Sequence, residues 1–283
     1  MAIKQKCSAW VRLARLHFYP FGFVIYTMGV AIAYTATQRF NFGVYVLGYI
    51  GIFLIELVTV FTNEYFDYPT DLVNKNAGVF NGGSRVLVEG KLGFKEMKIG
   101  IFVVLSLISV VAYLLIWTAG DVSPYSILFF FALGIFLGLG YTVPPLKFSY
   151  RGLGEIISSF VLGPLVILAG YVFQTGKWNN PLPWLLSLPL FFAELGAATF
   201  AAIPDYHADM AVSRKTIPVI FGVRKAVILS ICFISIAAIT GIVLWYCKFI
   251  TGLVAIILFA VIPPCVGCMP ALVHLKGMIM TEK

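Results

Sequence analysis

Apolar residues in this chain come in long runs, and the polar stretches between them hold nearly all of the charge. Eight runs approach or exceed the ~20 residues needed to cross the hydrocarbon of a bilayer. They extend from Tyr19 to Thr37, Phe42 to Thr62, Ile99 to Thr118, Tyr125 to Tyr141, Ile156 to Gln174, Pro183 to Ile203, Ala226 to Cys247 and Ile250 to Leu272. The pattern predicts an all-α, multi-pass transmembrane helical bundle of eight spans. Almost nothing is left over for a soluble domain, so residues 1–283 are read as a single transmembrane domain.

Composition agrees with that medium. Hydrophobic residues make up 60% and charged residues only 11%, against roughly 25% charged in soluble domains; mean hydropathy is +0.96. The charge that remains is unevenly placed. With eight crossings both termini share one side, and 17 of the 20 Lys and Arg residues fall there; the other side receives Arg39, Lys177 and Lys248. The positive-inside bias then puts both termini in the cytoplasm. It also accounts for the net charge of +8, with attraction of anionic substrates or lipids as the competing account. Lys4 to Arg15 followed by an apolar run has the outline of a secretory signal, but the run is long enough to span and seven more follow, so it is read as an uncleaved first helix. The five cysteines give no disulfide framework, and Cys265-x-x-Cys268 lies inside an apolar span without a second ligand pair.

Candidate chemistry lies just beyond two of the runs. Asp-Tyr-x-x-Asp occurs as Asp67 to Asp71 and again as Asp205 to Asp209, so 4 of only 12 acidic residues form two matching pairs. On a helix, residues four apart share a face, which sets two carboxylates side by side. Such a pair repels itself unless a cation lies between, and carboxylate oxygens completed by water and phosphate oxygens are the usual setting of Mg²⁺. The tetrads lie 138 residues apart, each after the second helix of a four-helix set. This suggests a parallel duplication with halves of about 1–141 and 142–283. Both tetrads fall on the cytoplasmic side.

Two further acids, Glu56 and Glu194, lie inside spans, where a charge costs roughly 2.5–3.5 kcal/mol. Glu56 precedes Asn63 by seven residues and Glu194 precedes Asp205 by eleven. At about 100° per residue both separations return to nearly the same face, which predicts that the glutamates look the same way as the tetrads. The alternative is a protonated glutamate hydrogen-bonded between helices. The loop from Leu72 to Leu92 contains Gly78-Val79-Phe80-Asn81-Gly82-Gly83-Ser84-Arg85. Its glycines permit close approach to an anion, and Arg85 offers a planar grip on phosphate. Tyr141 to Lys147 and Arg214-Lys215 end on the same side and supply further cations.

These residues carry a resemblance. Asn63-x-x-x-Asp67-x-x-x-Asp71 and Asp205-x-x-x-Asp209 resemble the two signatures of the UbiA superfamily of intramembrane prenyltransferases. The stretches Asn63-Glu64-Tyr65-Phe66-Asp67-Tyr68, Gly83-Ser84-Arg85-Val86-Leu87-Val88-Glu89-Gly90, Tyr150-Arg151-Gly152-Leu153-Gly154-Glu155 and Ile203-Pro204-Asp205-Tyr206, followed by Arg214-Lys215-Thr216, resemble the MenA-like branch. That branch comprises the 1,4-dihydroxy-2-naphthoate polyprenyltransferases of menaquinone synthesis. The similarity covers most of the chain in the same order.

The resemblance implies a helical bundle around a lipid-open cavity, in which two Mg²⁺ ions hold the diphosphate of a polyprenyl donor. Asn63, Asp67 and Asp71 would take the first metal, and Asp205 and Asp209 the second. Arg85 and Lys147 would contact the diphosphate, with Lys215 as a further candidate and Tyr141 beside them. Metals and cations neutralise the departing pyrophosphate, while aromatic residues, 16% of the chain, shield the allylic cation from water. The chain departs from the family pattern at Ala201, where Asn is frequent, and at His207, where an acid is common. His207 is a candidate base for the acceptor's proton, or a solvated helix-end histidine. Family members commonly have nine spans rather than eight.

The expected activity is thus Mg²⁺-dependent transfer of a polyprenyl group to an aromatic quinone precursor. Alternatives keep the donor but change the acceptor to a glycerol-phosphate lipid, a hydroxybenzoate or a tetrapyrrole. A cation-coupled transporter is the contrasting class, and it predicts carboxylates near the bilayer midplane rather than at the ends of spans. A phosphatidyltransferase is disfavoured, since its extended Asp-Gly and Ala-Arg signature is absent around Asp67 and Asp205. The expected partners are a polyprenyl diphosphate, an aromatic acceptor and the lipid bilayer, with no nucleic acid and no obligate protein partner. The expected location is a bacterial or archaeal cell membrane with the site facing the cytoplasm.

Overall fold

The computed structural model of the chain describes residues 3–74, 82–265, 267 and 268, and the regular elements among them are all helical. In chain order these are α1 (Ile3–Ala14), α2 (Tyr19–Thr37), α3 (Phe42–Phe66), α4 (Tyr68–Val73), α5 (Phe94–Ala119), α6 (Pro124–Gly140), α7 (Gly154–Phe160), α8 (Val166–Thr175), α9 (Leu182–Ala201), α10 (Tyr206–Ala211), α11 (Ile217–Phe221), α12 (Val223–Tyr246) and α13 (Leu253–Ile256). Six stretches are long and apolar enough to cross a membrane: α2, α3, α5, the α7–α8 pair, α9 and α12. Of the other two predicted spans, α6 has 17 residues, and the one expected from Ile250 to Leu272 lies partly outside the described residues. The chain is therefore an integral membrane protein by composition and helix length, without a full count of eight. All five cysteines are free.

The helices fall into two units, the first holding α1–α6 and α8 and the second α7 and α9–α13. In the first, α2 packs on α8, and α3 packs on α5, α6 and α8. Contact between α2 and α8 is backbone to backbone, since a Cβ on Gly29 would collide with the Ile167 carbonyl and one on Gly170 with the Tyr26 carbonyl. Small residues at such crossings let helices approach where no hydrophobic force separates helix from lipid. Asn41 starts α3 by accepting the Val44 N–H at 3.1 Å. Gln174 then pins the end of α8 to that start, accepting from Asn41 N at 2.9 Å and donating to Asn41 O at 2.9 Å. The amphipathic α1 lies on α3 through Trp10 and Phe61, whose ring centroids are 5.5 Å apart.

In the second unit α12 packs along α9, and α7 packs on α9. Ser230 is fully buried and donates to the Gly196 carbonyl at 2.7 Å. Leu195, Ile217 and Ala226 form a buried cluster backed by Phe191, Ile203, Leu229 and Phe233. A π-helical turn, Val161–Leu165, separates α7 from α8. Pro164 inside it has no N–H to give, and the wider turn absorbs the lost bond. Outward faces of α5 and α12 are apolar and exposed, including Phe102, Val110 and Trp117 on the one and Ile231, Ile239 and Trp245 on the other, as expected of surfaces bathed in lipid.

Two acidic motifs as the candidate functional site

In the first unit the helical hydrogen bonding runs through the acidic motif. Asp67 N donates to Asn63 O at 2.8 Å and Asp71 N to Asp67 O at 2.9 Å, so α3 passes into α4 with only a slight break at Asp67. Pro69 fits the first turn of α4, where an N–H has no partner to lose. The four-residue spacing therefore places Asn63, Asp67 and Asp71 on one side. Asp67 and Asp71 are both buried, at 7% and 6% exposure. Thr142 is fully buried, and its hydroxyl donates to Asn63 Oδ1 at 2.8 Å. This bond brings the Tyr141 to Lys147 segment against the first motif, with Tyr141 and Lys147 half-buried.

The glycine loop returns to the same place. Its described part begins at Gly82, while Gly78 to Asn81 lie outside the described residues. Gly83 has φ +68°, and a Cβ on it would collide with the Asp71 carboxylate and come within 3.1 Å of Glu64 Oε2. The anions that this glycine approaches are thus the chain's own carboxylates. Arg85 reaches back so that Nη1 donates to the carbonyls of Asp71 at 3.0 Å and Asn74 at 3.1 Å, at the C-terminal end of α4. Glu64 is buried and accepts from Ser84 N, Ser84 Oγ and Val86 N. At the loop's other end Arg12 grips Glu89 with both terminal nitrogens, at 2.8 and 2.7 Å, and Lys91 approaches it at 2.6 Å. The Arg12 and Lys91 cations hold the Glu89 carboxyl down at about 2.

The second unit builds its motif differently. After Ala201 the chain makes a tight turn, with Ile203 N donating to Phe200 O at 3.1 Å and Asp205 N to Ala202 O at 3.3 Å, before α10 begins at Tyr206. Asp209 N donates to Asp205 O at 2.8 Å, so the pair again shares one side. Asp209 is buried at 2% exposure, whereas Asp205 is half-buried. Thr216 Oγ1 donates to Asp209 Oδ2 at 3.2 Å, and Arg214 Nη1 lies 3.9 Å from Oδ1 with its guanidinium over the Tyr150 ring. Glu155 is buried and accepts the Ile217 N–H at 2.7 Å, while its Oε2 has no hydrogen-bond partner. His207 and Lys215 are exposed.

The intramembrane glutamates do not join these clusters equally. The α3 helix is unbroken from Glu56 to Asn63, so the shared-face argument holds, but seven residues at 1.5 Å set the two about 10 Å apart along the axis. Glu56 Oε2 lies against α2, 3.2 Å from where a Cβ on Gly22 would stand. From Glu194 the helix does not run unbroken to Asp205: the turn at Ala202 to Pro204 replaces i−4 bonding with i−3 bonding, so the 100° rotation per residue does not carry through. Glu64, Thr142, Glu155 and Thr216 are the residues that sequence reasoning quoted or passed without giving them a place in the site. The acids among them had a visible signal, being 2 of only 12 in the chain.

Among the described residues no three His, Cys, Asp or Glu side chains converge as a metal cage. Each motif instead offers two carboxylates, joined in the first by the Asn63 amide. Such hard oxygen donors fit Mg²⁺, which keeps several waters and takes one or two carboxylates plus substrate phosphate rather than a full protein cage. Gly83, whose side-chain position the Asp71 carboxylate fills, keeps the cradle open to backbone only.

Comparison with known proteins agrees with this construction. A profile described as the UbiA prenyltransferase family matches residues 23–275. The 2-carboxy-1,4-naphthoquinone phytyltransferase of Synechocystis is 27% identical over 253 residues, covering 82% of this chain and 73% of that protein. The 1,4-dihydroxy-2-naphthoate octaprenyltransferase of Haemophilus influenzae is 27% identical over 244 residues, covering 83% and 76%. Among solved structures, a UbiA homologue from Archaeoglobus fulgidus bound to DMAPP and Mg²⁺ shares the fold with a TM-score of 0.63 at 17% identity, covering 94% of this chain and 86% of that one. With a family profile spanning nearly the whole chain and both acidic motifs, the protein belongs to the UbiA prenyltransferase family, is similar to its MenA-like members, and is a prenyltransferase.

Proposed function

We propose that this enzyme moves a polyprenyl group from its diphosphate to an aromatic quinone precursor of the 1,4-dihydroxy-2-naphthoate type, with Mg²⁺, at a site facing the cytoplasm. The observation that carries the reading is the first motif: two buried carboxylates on one side, closed over by a glycine and an arginine. Two relatives named for naphthoate-type acceptors support the acceptor class, and the Archaeoglobus fulgidus structure with DMAPP and Mg²⁺ supports the metal.

In this reading Asn63, Asp67 and Asp71 hold one Mg²⁺, and Asp205 and Asp209 hold the other. When bound, the metal neutralises the charge that builds on the departing pyrophosphate. Arg85 keeps Nη1 on the α4 carbonyls and presents the rest of its guanidinium to the diphosphate; Lys147 adds a second cation. The Thr142 hydroxyl fixes the Asn63 amide, and the Thr216 hydroxyl does the same for the Asp209 carboxylate. Allylic C–O ionisation then releases pyrophosphate and leaves a carbocation that must be kept from water, as an apolar membrane interior does, until the acceptor's ring carbon attacks it and gives up its proton to a base.

Purified protein in nanodiscs, given Mg²⁺, a ladder of polyprenyl diphosphates and a panel of acceptors, tests this. Pyrophosphate release together with a prenylated naphthoate is the expected result. Release with product only from a glycerol-phosphate lipid, a hydroxybenzoate or a tetrapyrrole would keep the donor and overturn the acceptor. No release with any pair would overturn the whole proposal.

A further inference from the structure

Glu64 is a buried acid, 4% exposed, at the end of α3, and nothing in the reaction outlined above uses it. Its carboxylate serves three donors from a segment 20 to 22 residues further on. Oε2 accepts from Ser84 N at 2.8 Å, and Oε1 accepts from Ser84 Oγ at 2.6 Å and from Val86 N at 3.2 Å. The two amide donors are those of the residues on either side of Arg85.

Arg85 itself has φ +61°, a left-handed backbone that non-glycine residues seldom adopt. Such a conformation persists only where its surroundings over-determine it, and it concentrates at functional sites. Here one carboxylate fixes both neighbours of the strained residue. With its backbone so held, the Arg85 side chain turns back to the carbonyls of Asp71 and Asn74. On the upstream side Gly83 passes the Asp71 and Glu64 carboxylates with no room for a Cβ. The loop is thus fitted onto the first motif at four consecutive residues, Gly83 to Val86, and two of them, Ser84 and Val86, are bonded through Glu64.

We propose that Glu64 is a positioning residue: it latches the loop so that Arg85 stands over the first acidic motif and meets the donor's diphosphate. This rests on the reading of that motif as the diphosphate site. A glutamine at 64 is nearly the same shape but has only one acceptor oxygen. Because each carboxylate oxygen faces a backbone N–H, either orientation of the amide sets an N–H against an N–H, and one of the two backbone bonds of the latch is lost.

The test uses the full chain in nanodiscs. In Glu64→Gln, hydrogen–deuterium exchange of the Ser84 and Val86 amides should rise at least tenfold while the amides of α3 before Glu64 keep their protection. The KM for polyprenyl diphosphate should rise about tenfold with the acceptor's KM unchanged, and Glu64→Gln/Arg85→Ala should be no worse than Arg85→Ala alone. Glu64→Asp, which keeps both oxygens, should recover part of the donor KM; Ser84→Ala, which removes one donor and spares Glu64, should reproduce a few-fold part of the defect. Unchanged exchange in Glu64→Gln would overturn the latch. Lost protection with an unchanged donor KM, or losses that multiply with those of Arg85→Ala, would overturn the positioning role. Wild-type turnover in Asp71→Ala would overturn the reading of the motif and this role with it, and is told apart from the other failures because the exchange result is then intact.

Discussion

The two acidic motifs have the same spelling and different supports. In the first, Asp67 and Asp71 stand on a nearly continuous helix, both buried, and a loop folds straight back beside them: Gly83 passes the Asp71 carboxylate, Ser84 bonds Glu64 and Arg85 bonds the Asp71 carbonyl. In the second, a tight turn interrupts the helix before Asp205, only Asp209 is deeply buried, and its hydroxyl partner Thr216 sits next to Ile217, which is held by Glu155 from 62 residues earlier. The same tetrad can therefore be held chiefly by a returning loop, with Thr142 added from 79 residues away, or by a hydroxyl seven residues on whose neighbour is anchored 62 residues back. The first is expected to tolerate little change in its loop, and the second to depend on how the stretch from Tyr150 to Glu155 is seated.

The largest test asks whether both motifs are needed at all. Asp67→Ala, Asp71→Ala, Asp205→Ala and Asp209→Ala should each lower kcat by about 100-fold or more, the scale of losing one group that stabilises developing charge, measured as pyrophosphate release. Wild-type turnover in either pair would remove that motif from the comparison. Next in size is a contrast between two glycines. Gly83→Ala places a Cβ into the Asp71 carboxylate at φ +68°, and should lower kcat/KM about tenfold and cost about 1–2 kcal/mol of backbone strain. Gly152→Ala in the second unit has φ +81° but meets only the tip of Ile220, 3.0 Å away, which can move; thermal melting should show the strain alone, with activity nearly kept.

A smaller contrast concerns hydroxyls. Thr216→Val removes a donor to a carboxylate, where hydrogen bonds are worth about 1.5–3 kcal/mol, whereas Thr142→Val removes one to an amide, worth about 0.5–1.5 kcal/mol. Turnover should fall further in the first; equal losses would show that the hydroxyl on the Asp209 carboxylate is no more exacting than the one on the Asn63 amide. The smallest effect is a dependence on pH. Glu89 titrates lower in the folded chain than free because Arg12 and Lys91 hold it charged. Its contribution is complete above the ordinary glutamate pKa of about 4.3 and is lost as pH falls toward about 2. Being exposed, the cluster contributes little, so melting between pH 5 and 3 should show a slight extra loss that Glu89→Gln abolishes.

What could be read in the sequence was whatever depends on neighbours along the chain. The start and end of α2 match the apolar run from Tyr19 to Thr37, because desolvation and helix length are local quantities. The pairing of Asp67 with Asp71 followed from four-residue spacing for the same reason. What could not be read depends on where the chain returns. Nothing about Glu64 announces that Ser84 and Val86 come back to it, nor about Glu155 that Ile217 does. Periodicity also assumes an unbroken helix; the helix runs unbroken from Glu56 to Asn63 but not from Glu194 to Asp205, where the turn before Pro204 resets the rotation.

The π-turn at Pro164 has a consequence for taking the molecule apart. A hydropathy plot shows one span from Gly154 to Thr175, yet α7 rests on α9 and α8 rests on α2 and α3. A cut in the loop between α6 and α7 would thus part α8 from α2 and α3, and orphan the groove of α2 that Gly29 lines. Split fragments made at that loop should assemble only when co-expressed, by returning half a helix to the other piece. A cut after Phe160 would misplace both halves, leaving α7 on the piece without α9 and α8 on the piece without α2 and α3, so no single break in this stretch parts the helices along their packing.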